Sequence, residues 1–148
     1  MSYEELIGRI EAALPRLKGK VTVDRVIYKR DSRHAYFYLL SDEVAGEFEY
    51  MAVQKILKAA FPGVRLSLRI ASPALKEAFL ADPDQYAHVI NNILRRQHPA
   101  LAAWEFEMRY KAEDGRVVLE LPDEFSMQYL KERALTDKIN RAIKDIFC

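Results

Sequence analysis

The stretch VTVDRVIYKRDSRHAYFYLL, residues 21–40, decides the fold. Its first nine residues are rich in Val, Ile and Tyr and alternate broadly between apolar and polar, which suits a pleated, half-buried surface. Residues 30–33 form a polar turn. In 34–40 the alternation returns, with Ala35, Phe37 and Leu39 on one face and Tyr36 and Tyr38 on the other. Two strands joined this closely pair as an antiparallel hairpin.

Helices flank the hairpin. Leu6, Ile7, Ile10, Ala13 and Leu14 recur at helical spacing over 2–14, Ser2 and Glu5 have the form of a capping box, and Pro15 discourages continuation. Residues 45–61 read as a second helix with an apolar stripe of Phe48, Met51, Ala52, Ile56, Leu57 and Ala60, stopped by Phe61-Pro62-Gly63. The strand 64–70 then points Val64, Leu66, Leu68 and Ile70 inward and Arg65, Ser67 and Arg69 outward. Residues 1–72 therefore form one α-β-β-α-β unit.

Ser72-Pro73 punctuates, and a related order follows over 73–148. A short helix at 73–81 leads to Asp82-Pro83-Asp84, a helix start with Pro at its first position. The helix 83–97 buries Tyr86, Val89, Ile90, Ile93 and Leu94. Residues 104–111 alternate as a strand with Trp104, Phe106, Met108 and Tyr110 on one face; 113–115 turns, 116–121 returns, and Asp123 caps a final helix over 124–147. Tyr28-Lys29 matches Tyr110-Lys111, Phe37 and Leu39 are echoed by Val118-Leu119, and Leu57-Lys58 with Phe61 matches Ile143-Lys144 with Phe147. The expected fold class is α+β: two tandem α-β-β-α-type units with small antiparallel sheets. The second unit, α-α-β-β-α, lacks its last strand, and a segment of a longer protein is expected.

The 148 residues carry a net charge of +1, half of them are apolar and 30% are charged, an ordinary globular profile. Residues 1–72 hold 12 Lys/Arg against 9 Asp/Glu and residues 73–148 hold 11 against 13, short of the basic excess of a bare DNA-binding domain. No apolar run approaches the roughly 20 residues that span a bilayer, so no membrane partner is expected. The start MSYEELIGRIEAAL has no signal core, and the single Cys148 cannot staple the fold. A cytoplasmic, reducing location is the expectation.

Catalytic chemistry is not legible. His34, His88 and His98 lie far apart without metal-ligand spacing, Cys148 has no local base, and the five glycines never cluster into a phosphate-cradling loop. Glu105 and Glu107 lie on a strand's outward face and read as solvated. The expectation is no catalytic residue, metal, cofactor or small-molecule ligand; an enzyme requires the fold to bring His34 together with Asp31 or Glu105 in one cleft. Binding has more support. Lys29, Arg30 and Arg33 make the hairpin basic, Arg65 and Arg69 share a strand face, and Arg95 and Arg96 end a helix where they complement its dipole. Tyr28 and Tyr36 beside them could stack on single-stranded bases. The plain alternative is a solvated sheet face with ordinary basic residues.

Helices packed on a small antiparallel sheet resemble the KH type of nucleic-acid module, but the Gly-x-x-Gly loop with which that family grips a backbone does not occur here. The whole chain resembles the N-terminal region (domains I and II) of the PolC-type DNA polymerase III α subunit of low-GC Gram-positive bacteria. The resemblance rests on V-x-R-V-x-Y-K-R-D-S-R-H-A-Y-F-Y-L (23–39), F-P-G-V-R-L-S-L-R-I (61–70), D-P-D-Q-Y (82–86) before Asn91-Asn92, and I-K-D-I-F (143–147). It implies a segment ahead of an OB-fold, a 3′-5′ proofreading exonuclease, a PHP domain and the polymerase core. The segment would hold none of their catalytic carboxylates. It further implies that the second unit is KH-like and similar to the polymerase-binding domain of the clamp-loader τ subunit. The implied function is a non-catalytic module of DNA replication contacting other replisome proteins, τ among them; the alternative is a single-stranded nucleic-acid binder using the basic hairpin.

Overall fold

The computed structural model describes residues 2–98 and 108–148. The protein is α+β and divides into two compact units, Met1–Pro73 and Ala74–Cys148.

In the first unit, helix α1 (Tyr3–Ala13) begins at Ser2. The Ser2 hydroxyl accepts the Glu5 backbone N–H at 3.2 Å, and the Glu5 carboxylate accepts that of Ser2 at 3.1 Å. Two donors that a helix start leaves free are thereby satisfied. The helix buries Leu6 and Ile10, and Leu14 follows them into the core. After a 3-10 turn at Pro15–Leu17 come β1 (Val21–Lys29), β2 (His34–Ser41), α2 (Glu47–Ala60) and β3 (Arg65–Ala71). The strand order is β1-β2-β3. β1 and β2 form the expected antiparallel hairpin, whereas β3 joins β2 in parallel, with Ala35 opposite Leu66 and Leu39 opposite Ile70. The α2 crossover returns the chain in its original direction, so the expected antiparallel sheet becomes a mixed one.

A bulge interrupts β1 between Val23 and Arg25. One extra residue flips the alternation, so Val26 and Tyr28 join Val21 and Val23 on the face of Ala35, Phe37 and Leu39. Ala35, Phe37, Leu39 and Val21 are buried on that face.

The apolar stripe expected on α2 is corrected. Phe48 and Met51 are 72% and 58% exposed; Leu57 is buried as expected, and Tyr50 and Val53 are buried with it. Apolar residues lie on more than one side of this helix, so spacing alone leaves its phase open. Tyr50 fixes it through its polar tip: its hydroxyl accepts the Ile70 N–H at 2.8 Å and donates to the Ile70 carbonyl at 3.2 Å. That pair sits on β3, the edge strand of the sheet among the described residues, where no further strand of theirs satisfies it. Glu43, ahead of α2, accepts from Arg16 at 2.8 Å and from Lys20 at 2.6 Å, and Arg16 also pairs with Glu49. The Lys20 hydrogen bond, then the charges of Lys20 and Arg16, hold the Glu43 carboxyl below its ordinary pKa.

The second unit contains α3 (Lys76–Ala81), a 3-10 turn at Pro83–Tyr86, α4 (Ala87–Gln97), β4 (Arg109–Glu113), β5 (Arg116–Glu120), α5 (Glu124–Glu132) and α6 (Leu135–Phe147). β4 and β5 pair antiparallel around Asp114-Gly115, with both turn residues at positive φ. Trp104 to Glu107, expected to begin a strand, lie outside the described residues. Tyr110 is buried; its N–H donates to Asp84 at 3.1 Å and its hydroxyl to Asn91 at 2.8 Å. Burial, then the Asp84 charge, raises the pKa of that hydroxyl above its ordinary value. Phe79 and Phe147 stack at 4.2 Å, with Tyr86 edge-on to both.

Two expectations need correction here. The helix expected at 83–97 opens as a 3-10 turn before α4. The single helix expected over 124–147 breaks at Ala134, which adopts a left-handed conformation at φ 51°. Ser126 and Leu130 are buried in α5; Leu135, Ile139, Ala142 and Ile146 are buried in α6. A continuous helix from 126 and 130 would next bury 133 or 134 and then 137, so the apolar stripe slips by about one residue, and the break absorbs the slip. The residues matched as an internal repeat also differ in setting. Tyr28 is 52% exposed and Tyr110 is 2% exposed. No helix among the described residues is long and apolar enough to cross a membrane.

Candidate functional site

The register of the three-stranded sheet sorts the residues of the first unit into two faces. On the helix-covered face, α1 and α2 leave the hairpin-turn end of the sheet uncovered. A groove of about 440 Å³ remains there, floored by Val26, Tyr28 and Phe37 and walled by Tyr3 and Leu6 on one side and Phe61 on the other. Val26, Tyr28 and Tyr3 are 48%, 52% and 52% exposed. Monomeric proteins rarely leave apolar side chains clustered in this way without a use for them.

The opposite face is a grid of three cross-strand rows: Arg25, Tyr38 and Arg69; Ile27, Tyr36 and Ser67; Lys29, His34 and Arg65. The Arg25 guanidinium lies 4.3 Å from the centre of the Tyr38 ring and the Lys29 ammonium 5.2 Å from that of Tyr36. His34 stacks on Tyr36 at 4.1 Å, and its Nε2 lies 2.7 Å from Ser67 Oγ. These rings are already faced by cations and an imidazole.

The basic residues anticipated from sequence separate into three places. Lys29, Arg30, Arg33 and Arg65 meet at one end of the sheet: the Arg65 N–H donates to the Arg33 carbonyl at 2.9 Å, and Arg33 takes a left-handed conformation at φ 49°. All four are exposed. Arg69 lies further along the same face beside Tyr38 and is half-buried. Arg95 and Arg96 belong to the second unit, in the last turn of α4. Tyr28 and Tyr36, the aromatic residues expected beside the basic positions, lie on opposite faces of the sheet: Tyr28 is opposite Ala35 and Tyr36 opposite Ile27. Tyr38 with Arg25 is the pair that sequence reading missed.

The groove was missed as well, since α1, β1, β2 and the end of α2 build it together. A local signal for it exists. Val26-Ile27-Tyr28 is a run of three apolar residues, and alternation sends its members to both faces of the sheet. Neither His34 nor Asp31 lines the groove, and Glu105 lies outside the described residues. Among the described residues no three His, Cys, Asp or Glu side chains converge as ligands of a metal ion would.

No family model matches this sequence, and no curated protein and no solved structure matches it either.

Proposed function

We propose that this chain is a non-catalytic interaction module of bacterial DNA replication, the N-terminal part of a PolC-type DNA polymerase III α subunit. In this reading it works in the cytoplasm and contacts other replisome proteins, the clamp-loader τ subunit first among them. The structural observation that carries a protein-contact role is the apolar groove between α1 and α2, with its exposed Val26 and Tyr28. An aqueous surface gains by covering such side chains, at roughly 25 cal/mol for each Å² of apolar surface removed from water. The link to replication comes from the sequence motifs at 23–39, 61–70 and 82–86.

The test is a titration of the 148-residue chain against purified τ and, separately, the other purified replisome proteins of its source. Saturable binding to at least one is expected. Absence of binding to all of them at high micromolar concentration overturns the reading.

A second reading, single-stranded nucleic-acid binding, draws on the row of Arg25, Tyr38 and Arg69 beside Lys29 and Arg65. It ranks lower because Arg25 and His34 already lie against the two tyrosine rings that bases would need. Oligonucleotide affinity that falls steeply with salt and is lost in Lys29→Ala/Arg30→Ala/Arg33→Ala would raise it to first place.

A further inference from the structure

We infer that the open face of the three-stranded sheet docks an acidic helix of a partner protein, one whose carboxylates stand on both sides of an apolar residue. The contact is a second surface, on the face of the sheet away from the groove, and it holds whether or not the chain serves replication.

This face is cationic and not neutralised. None of the nine residues in its three cross-strand rows is acidic, whereas Arg25, Lys29 and Arg65 are exposed there and Arg69 adds a fourth cation. The nearest carboxylates along the chain, Asp24 in the bulge and Asp31 in the turn, belong to no row. Among the described residues no carboxylate forms an ion pair with Arg25, Lys29 or Arg65. Elsewhere in the same unit Arg16 and Lys20 are matched by Glu43 and Glu49. The charge left over is concentrated on the sheet, where a partner's carboxylates would meet it.

Exposed cations suit phosphates as well as carboxylates, and the rings decide between the two. Proteins that hold single strands stack bases on bare aromatic faces. Tyr36 and Tyr38 are half-buried, with His34 stacked on the first at 4.1 Å and the Arg25 guanidinium 4.3 Å from the centre of the second. A nucleic acid would be held here by its phosphates alone, and 12 Lys/Arg against 9 Asp/Glu in residues 1–72 is a small excess for that. The side chain that the face does offer is Ile27, 41% exposed and midway between Arg25 and Lys29 on β1. An apolar residue between two cations is complemented by an apolar residue between two carboxylates.

Spacing selects a helix. Arg25 and Lys29 each stand two residues from Ile27, about 7 Å along the strand. Residues four apart on a helix are about 6 Å apart along its axis, so Glu-x-x-x-Leu-x-x-x-Glu sets its leucine on Ile27 and its glutamates on the two cations. Arg65 lies two strands across, about 10 Å away, within reach of the far flank of a helix about 10–12 Å wide. An extended peptide added to β1, an edge strand among the described residues, would lie beside these rows and not over them. The bulge and the exposed charges of Asp24, Arg25 and Lys29 also blunt that edge.

The experiment uses the 148-residue chain and an alanine-based helical peptide with this pattern, made with glutamate, glutamine or lysine at the two flanking positions, beside a single-stranded oligothymidylate. Binding is followed by fluorescence anisotropy at low and moderate salt. The glutamate peptide is expected to bind saturably and at least about fivefold more tightly than the glutamine peptide, by a margin that shrinks as salt rises. Single exposed ion pairs contribute little, so each variant removes two cations together. Arg25→Gln/Lys29→Gln is expected to weaken glutamate-peptide binding about fivefold or more. Lys55→Gln/Lys58→Gln takes the same charge from exposed positions on α2 and is expected to leave that binding within about twofold. Arg25→Glu/Lys29→Glu is expected to prefer the lysine peptide, a reversal that a merely unfolded variant cannot give. Equal losses in the two glutamine variants would reveal attraction to net charge alone and overturn the inference. Glutamate-peptide binding that is absent, no tighter than that of the glutamine peptide, or unchanged in Arg25→Gln/Lys29→Gln also overturns it. Oligothymidylate binding that Arg25→Gln/Lys29→Gln removes, without glutamate-peptide binding, does so too and assigns the face to nucleic acid.

Discussion

Tyr50 shows how one polar atom decides what a helix buries. Its hydroxyl answers both the N–H and the carbonyl of Ile70, at 2.8 and 3.2 Å, and Ile70 is itself 2% exposed. Removing the hydroxyl leaves a buried donor and a buried acceptor without that partner, which costs about 1–3 kcal/mol. Tyr50→Phe keeps the ring and its packing, so the loss belongs to the hydrogen bonds. Denaturant unfolding should show a lower midpoint at unchanged slope, and an unchanged midpoint would mean that water replaces the hydroxyl. None of this could be read from the sequence. The residue that phases α2 is a tyrosine whose partner lies 20 positions away, and Phe48 and Met51 offered a more obvious apolar stripe. The bulge in β1 was hidden for the same reason. Val23-Asp24-Arg25-Val26 reads as a strand with or without it, and only the pairing partners, Leu39 for Val23 and Tyr38 for Arg25, reveal the extra residue.

Among elements, the hairpin and α1 were legible because their signals are local: alternation across 34–40, and a capping box at Ser2 and Glu5. The α5–α6 break was half-legible. No Gly or Pro marks 133–134, yet the apolar spacing shifts between Leu130 and Leu135. Ala134 meets that shift in a left-handed conformation, which costs an L-residue about 1–2 kcal/mol. Glycine avoids that cost and gives back about 0.5–1 kcal/mol in the unfolded chain's greater freedom. Ala134→Gly is therefore expected to leave stability unchanged or raise it by up to about 1 kcal/mol, whereas Ala134→Val should destabilise. Thermal unfolding of the two variants checks the order, and a destabilising glycine would show that the break is not where the strain resides.

For the whole molecule, the sequence conveyed the α+β class and an order of elements, but not the parallel pair. Among the described residues, three strands with a parallel pair stand in one unit and a two-stranded hairpin in the other, which was expected without the last strand of the first. Each unit still owns a set of buried side chains: Ile10, Leu17, Leu39 and Leu57 in the first, Phe79, Ile90, Leu94 and Phe147 in the second. Separate cores imply separate folding. Residues 1–73 made alone are expected to unfold cooperatively, with no more than the roughly 3–5 kcal/mol that a core of this size supplies. The second unit carries a further mark, His98 at the end of α4. Burial first, then the charges of Lys138 and Arg141, lowers its pKa below the ordinary value near 6.5. As pH falls below that value the unfolded chain takes up the proton before the folded one does. The stability linked to His98 is therefore complete above about pH 6.5 and declines toward the folded pKa. His98→Gln removes this contribution while leaving every carboxylate in place. In residues 74–148, unfolding midpoints from about pH 7.5 to about pH 5.5 should fall less steeply in the glutamine variant than in the parent. Equal slopes would show that His98 titrates alike in both states and that the cations of α6 do not act on it.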